Sequence, residues 1–179
     1  VSQVKGQPMP SGKTIWRVLD NKLTPRTPVK LSWDNGNGLT FLRTITINDD
    51  YLIKIEDNIK SSLENPILLN PYGLVRRTGT PSTQGMWILH EGLLGVFDDT
   101  LKEWTYSELQ DDDREGLNHI SEEPGGWAGI TDKYWLAAVI PKQTEKVNFS
   151  MRALSGTEDR YQADFLGEAV TVPAKGMVN

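Results

Sequence analysis

The stretch Leu39-Thr40-Phe41-Leu42-Arg43-Thr44-Ile45-Thr46-Ile47-Asn48-Asp49-Asp50-Tyr51-Leu52-Ile53-Lys54-Ile55-Glu56-Asp57-Asn58-Ile59 decides the fold. Its period is two. Leu39, Phe41, Ile45 and Ile47 recur at alternate positions, while Thr40, Thr44 and Thr46 fill much of the other phase. Asn48-Asp49-Asp50 supplies turn chemistry, because Asn and Asp side chains hydrogen-bond their own backbone two residues on. Tyr51, Ile53, Ile55 and Ile59 then resume the alternation against Lys54, Glu56, Asn58 and Lys60. Two alternating runs around a short polar loop predict an antiparallel hairpin, one face on a core and one in water.

Working outward from the hairpin, further strands are expected over residues 14–19, 29–33, 67–77, 86–97, 103–109, 126–131, 134–140, 147–154, 160–165 and 168–172. Turn signals separate them: Asp34-Asn35-Gly36-Asn37-Gly38, Gly79-Thr80-Pro81, Pro124-Gly125-Gly126 and Ser155-Gly156-Thr157. Many short strands with polar turns predict an all-β sandwich or barrel. The best helix candidate, residues 106–116, is worth one or two turns, and its acidic run reads as an exposed loop. No repeat, low-complexity segment or linker marks a boundary. One domain over residues 1–179 is therefore expected.

Composition narrows the function classes. The formal net charge is −5, and Arg76-Arg77 is a pair, not a patch, so nucleic acid is not an expected partner. The absence of cysteine excludes disulfides, thiolate metal sites and cysteine nucleophiles. The longest apolar run, Trp135 to Ile140, stops at Pro141, well short of the roughly 20 residues that span a bilayer. No basic segment followed by an apolar one opens the chain, so no signal peptide is expected within it.

Catalytic chemistry finds little support. His90 and His119 are the two histidines. Strand geometry would send His90 and Glu91 to opposite faces, and no HxH or HxxxH spacing offers a metal site. There is no GxSxG elbow, and Gly36 and Gly38 form only a GxG with no helix after it. Asp111, Asp112 and Asp113, with Glu115, carry oxygen ligands but lack the glycine-punctuated spacing of a calcium loop. No catalytic, cofactor-binding or metal-binding residue is assigned, and no cofactor is expected. Six tryptophans could stack on sugars, but base rates of burial favour packing. Trp127 and Trp135, among small and aliphatic neighbours, are expected to anchor the core.

The block Gly125-Gly126-Trp127-Ala128-Gly129-Ile130-Thr131-Asp132-Lys133-Tyr134-Trp135-Leu136-Ala137-Ala138-Val139-Ile140-Pro141 resembles a stretch of the periplasmic domain of YidC-type membrane protein insertases. The paired runs Val29 to Gly36 and Phe41 to Ile45 are similar to that family's strands, as are Asn70 to Arg77 and His90 to Val96. Together these segments cover most of the chain from Trp16 to Val172, in register order.

The resemblance implies a twisted antiparallel β-sandwich, a supersandwich similar to galactose-mutarotase-like domains, with little helix. It implies a single extracytoplasmic β-domain over 1–179, truncated at both ends, and anchored in the bacterial inner membrane through segments outside this chain. It implies a non-enzymatic role in inserting and folding inner-membrane proteins. The expected partners are the Sec translocon, its accessory subunits and, through the full-length protein, nascent inner-membrane proteins. A carbohydrate-binding or aldose-epimerase-like domain is the alternative. Mutarotase-type catalysis needs a histidine acid and a carboxylate base across one pocket, and only His90 and His119 could supply the acid. Asp111, Asp112 and Asp113 are the expected partner-binding residues, because an exposed loop on a rigid β scaffold often carries recognition.

Overall fold

The computed structural model describes residues 1–2, 4–20, 22–82, 90–111, 116–154 and 156–179. In chain order the elements begin with β1 (Arg17–Asp20), β2 (Val29–Asp34), β3 (Leu39–Ile47), β4 (Ile53–Ser61), β5 (Ile67–Leu69) and β6 (Tyr72–Thr78). Next come β7 (Gly92–Phe97), β8 (Thr100–Thr105), α1 (Tyr106–Gln110), β9 (Leu117–Ile120), β10 (Trp127–Asp132) and β11 (Trp135–Val139). The last are β12 (Val147–Leu154), β13 (Arg160–Gly167), β14 (Val170–Val172) and β15 (Met177–Val178). Every named strand pairing is antiparallel. The chain is an all-β protein of packed antiparallel sheets, and it forms two compact units.

The first unit comprises Val1–Asn70 and Ala169–Asn179. Its five-stranded sheet runs β1-β2-β3-β4-β15, and β14 pairs with β5 in a second, two-stranded sheet. The hairpin expected from the alternation is β3–β4, in register from Leu39↔Ser61 to Ile47↔Ile53. Leu39 and Phe41 from β3 join Ile67, Leu69 and Val172 in a buried cluster, with Trp16, Trp33 and Ile59 packed against it. On that same face Arg43 stands opposite Asp57. Two guanidinium nitrogens donate to the two carboxylate oxygens, each at 2.7 Å. The guanidinium also lies 4.9 Å from the Trp16 ring centroid. Beyond this row the apolar phase continues but its cover ends: Ile53 is 55% and Ile55 56% exposed.

The second unit is Pro71–Glu168. Two four-stranded sheets, β11-β10-β7-β8 and β6-β13-β12-β9, enclose one core. Leu93 and Phe97 (β7) with Ala128 and Ile130 (β10) meet Phe149 and Met151 (β12) and Tyr161 and Ala163 (β13). Phe97 and Phe149 pack at 4.6 Å between centroids, as do Tyr106 and Tyr161, the latter edge-on. Burial of such alternate positions from facing sheets is the ordinary stabilisation of a sandwich.

Several sequence expectations shift. The run 67–77 is two strands, because Asn70-Pro71 interrupts it and Pro71 has no N–H for a ladder. The run 103–109 ends as a strand at Thr105, where a capping box starts α1: Thr105 accepts from the Glu108 backbone and the Glu108 side chain accepts from the Thr105 N–H. Trp127 and Trp135 are not core anchors. Trp127 lies on the opposite phase of β10 from buried Ala128 and Ile130, and Trp135, at the end of the hairpin, is 47% exposed.

Candidate functional site

Of the acidic residues singled out in the sequence, Asp111 is the exposed C-cap of α1. Buried Tyr106 and Leu109 anchor this short helix, and Asp111 closes it. Asp112 and Asp113, like Glu115, lie outside the described residues.

The histidines are separately engaged. His90 precedes β7, and its Nε2 lies 3.2 Å from the Leu93 carbonyl oxygen. Residues 83–89, including Trp87, lie outside the described residues. His119 Nε2 lies 2.7 Å from Asp98 Oδ2, and its ring packs on Phe97. Asp98 also accepts the backbone N–H groups of Glu122 and Glu123. Those backbone donors, Glu123's foremost, hold the Asp98 carboxyl below its ordinary pKa, with His119 adding to them. A mutarotase-type acid and base would face each other across a substrate. Here histidine and carboxylate are in direct contact, and His90 is turned to a backbone carbonyl.

A second cluster sits at the end of β10. Asp132 pairs with Arg77 and accepts a 2.7 Å hydrogen bond from the Tyr106 hydroxyl. Burial first, and then the Asp132 carboxylate, push the Tyr106 phenol well above its ordinary pKa. Arg77 also lies 5.7 Å from the centroid of the Trp135 ring. Glu91, Asp132, Tyr134 and Trp135 line an open depression of about 370 Å³ together with Pro81, Ser82 and Lys133.

A third cluster lies on the outward face of the β6-β13-β12-β9 sheet. Arg76, Gln162 and Arg152 stand in one cross-strand row. Arg76 Nε donates to Gln162 Oε1 at 2.9 Å, and Gln162 Nε2 donates to the Tyr72 hydroxyl at 3.1 Å and to Asp164. Arg152 Nη2 lies 2.9 Å from Asp164 Oδ2. Gln162 is 1% and Asp164 5% exposed, buried on a face that would otherwise meet water. None of these three clusters was legible in the sequence, because each joins residues far apart in the chain. The one available signal was the polar pair Gln162 and Asp164 in the outward phase of a strand that is buried on both sides.

Among the described residues there is no group of three or more His, Asp or Glu placed to hold a metal ion, and no helix long and apolar enough to cross a membrane.

Comparison with known proteins supplies the frame for these clusters. A family model described as the YidC periplasmic domain matches residues 1–179. A protein named "Membrane protein insertase YidC" from Granulibacter bethesdensis is 43% identical over 154 residues, covering 85% of this chain and 27% of that protein. Its namesake from Methylobacterium nodulans is 41% identical over 178 residues, covering 95% of this chain and 29% of that protein. The Sinorhizobium fredii relative of the same name is 38% identical over 169 residues, with shares of 92% and 27%. The chain thus spans less than a third of the length of these relatives. By a match over its full length and by these identities, the chain belongs to the YidC periplasmic domain family.

Proposed function

We propose that this domain is a non-enzymatic binding and scaffolding module on the periplasmic side of an inner-membrane insertase. In the full-length protein it helps nascent inner-membrane proteins insert and fold, in concert with the Sec translocon and its accessory subunits. Family membership over the whole chain carries this reading. The side-chain chemistry supports it: the pairs His119–Asp98, Arg77–Asp132 and Arg152–Asp164 are each closed on themselves, an arrangement that builds rigid surfaces.

The acidic run Asp111-Asp112-Asp113, whose first residue is the C-cap of α1, is the proposed partner contact. Its charge acts chiefly on encounter rate and salt dependence. Replacing the three aspartates with serine in the full-length protein tests it. Crosslinking to Sec accessory subunits falls if the run takes part, most clearly at low salt, and unchanged capture at low and moderate salt removes it from the interface.

The depression beside Trp135 and Tyr134 is the observation that favours a second reading, a sugar ligand, because exposed aromatic rings beside carboxylates suit carbohydrate. Polarimetric mutarotation of glucose and galactose separates the two. Acceleration above buffer, lost in His119→Ala or His90→Ala, would favour the sugar enzyme over the scaffold.

A further inference from the structure

The outward face of β6-β13-β12-β9 carries three arginines, Arg76, Arg152 and Arg160, against one carboxylate, Asp164. It does so on a chain whose formal net charge is −5. Asp164 is spent on Arg152. Arg76 is exposed, and its hydrogen-bond acceptor is the neutral Gln162. Among the described residues it has no carboxylate partner, and its Nη1 has no acceptor at all. A guanidinium has five N–H donors in a fixed fork that matches a carboxylate. Nε and Nη2 of Arg76 both donate to Gln162, so the Nη1 end of the fork is what remains for a carboxylate.

Two further features make this more than a surface charge. Arg76 is pinned to Gln162, and Gln162 to Tyr72 and Asp164, so the guanidinium is held before any partner arrives, which lowers the ordering cost of binding. Exposed apolar side chains share this face: Leu74 (40%) and Tyr72 (42%) follow Arg76 along β6, and Ile120 (75%) stands at the far edge, on β9. Tyr72 and Ile120 close the two ends of one cross-strand row, through Leu166 and Asn148.

We infer that this sheet face docks an amphipathic protein segment that presents a carboxylate to Arg76 and lays its apolar side along the Leu74–Tyr72–Ile120 end of the face. Charge complementarity selects the acidic occupant, and the apolar side chains of this face select an amphipathic one. Arg76 and Arg152 are tied to side chains of the sheet itself. An anionic lipid surface is better served by cations free to project. This goes beyond the insertase reading, and it is opposite in sign to the proposed Asp111-Asp112-Asp113 contact.

The test uses this chain and a labelled 16-residue helical peptide of Leu, Ala and Glu, with a counterpart in which Lys replaces Glu. In fluorescence anisotropy the Glu peptide should bind at least tenfold more tightly than the Lys peptide and weaken in 0.5 M salt. Arg76→Glu should abolish at least tenfold of that affinity, and Ile120→Asp several-fold. Both positions are exposed, and matching circular dichroism and melting curves establish that the variants fold. Equal binding of the two peptides, or full binding by both variants, overturns the inference. So does Arg76-dependent capture by 3:1 phosphatidylcholine:phosphatidylglycerol vesicles without peptide binding, which would make a lipid surface the occupant. An Arg76-dependent dimer in sedimentation, again without peptide binding, would make it a second copy and also overturn it. Because the probe is a defined peptide, failure here leaves the Sec crosslinking result untouched.

Discussion

His119 on β9 holds Asp98, the first residue of the β7–β8 turn, through a 2.7 Å contact between Nε2 and Oδ2. The same carboxylate caps two backbone N–H groups of the segment after β9, so one side chain ties a turn of one sheet to an edge strand of the other. Because these contacts lower the Asp98 pKa, the stability it contributes is complete above the ordinary aspartate value of about 3.9 and is lost as pH falls through the lower folded value. Asp98→Asn should therefore melt below the unmodified chain at pH 7, with the gap closing as pH falls below the ordinary aspartate value. A gap that stays constant with pH would contradict the assignment.

The same turn has a strained neighbour. Asp98 and Asp99 both have positive φ, 47° and 58°, as a two-residue hairpin turn requires. Among the described residues the Asp99 carboxylate makes no contact comparable to that of Asp98, so glycine should relieve strain there. Asp99→Gly is expected to raise stability by about 0.5–1 kcal/mol in urea unfolding.

Gly126, in the Gly125-Gly126-Trp127 motif, has φ +88°, and a Cβ there would sit 2.5 Å from the Val96 carbonyl oxygen and 3.1 Å from the Phe149 ring. Gly126→Ala should cost about 1–3 kcal/mol, through both strained backbone and a clash with a neighbouring strand. A chemical-denaturation midpoint equal to that of the unmodified chain would show that the turn can relax.

Truncation separates core from rim. Phe149→Ala, at a fully buried ring between the two sheets, should cost about 3–5 kcal/mol. Trp135→Ala should cost roughly half of that or less, since the ring is 47% exposed. Ile55→Thr, beyond the Arg43–Asp57 row, should change stability by about 0.5 kcal/mol or less. Urea unfolding of the three variants measures the gradient.

These contrasts show what could be read from the chain alone. The period of two fixed the β3–β4 pairing, since a one-residue slip would turn Leu39 and Phe41 out of the core. That period does not say where cover ends, so Ile53 and Ile55 read like Phe41 although they are exposed. Strand β9 went unread because four residues give too little alternation to register. The Thr105–Glu108 capping box was present in the sequence, yet the β-rich flank read as strand through Leu109. The family was legible in the glycine-tryptophan block and the ordered strands around it. The closed pairs were not, because Asp98 and His119 are 21 residues apart, and Arg77 and Asp132 are 55 apart. Only the sheet registers bring them together.

The proposal that residues 1–179 form a partner-binding module has one direct test. The direct measurement is co-purification of Sec accessory subunits with the full-length insertase from native membranes, before and after residues 1–179 are replaced by a flexible linker. The account predicts that capture falls several-fold while the insertase remains in the membrane at normal abundance. Undiminished capture by the linker form would contradict it.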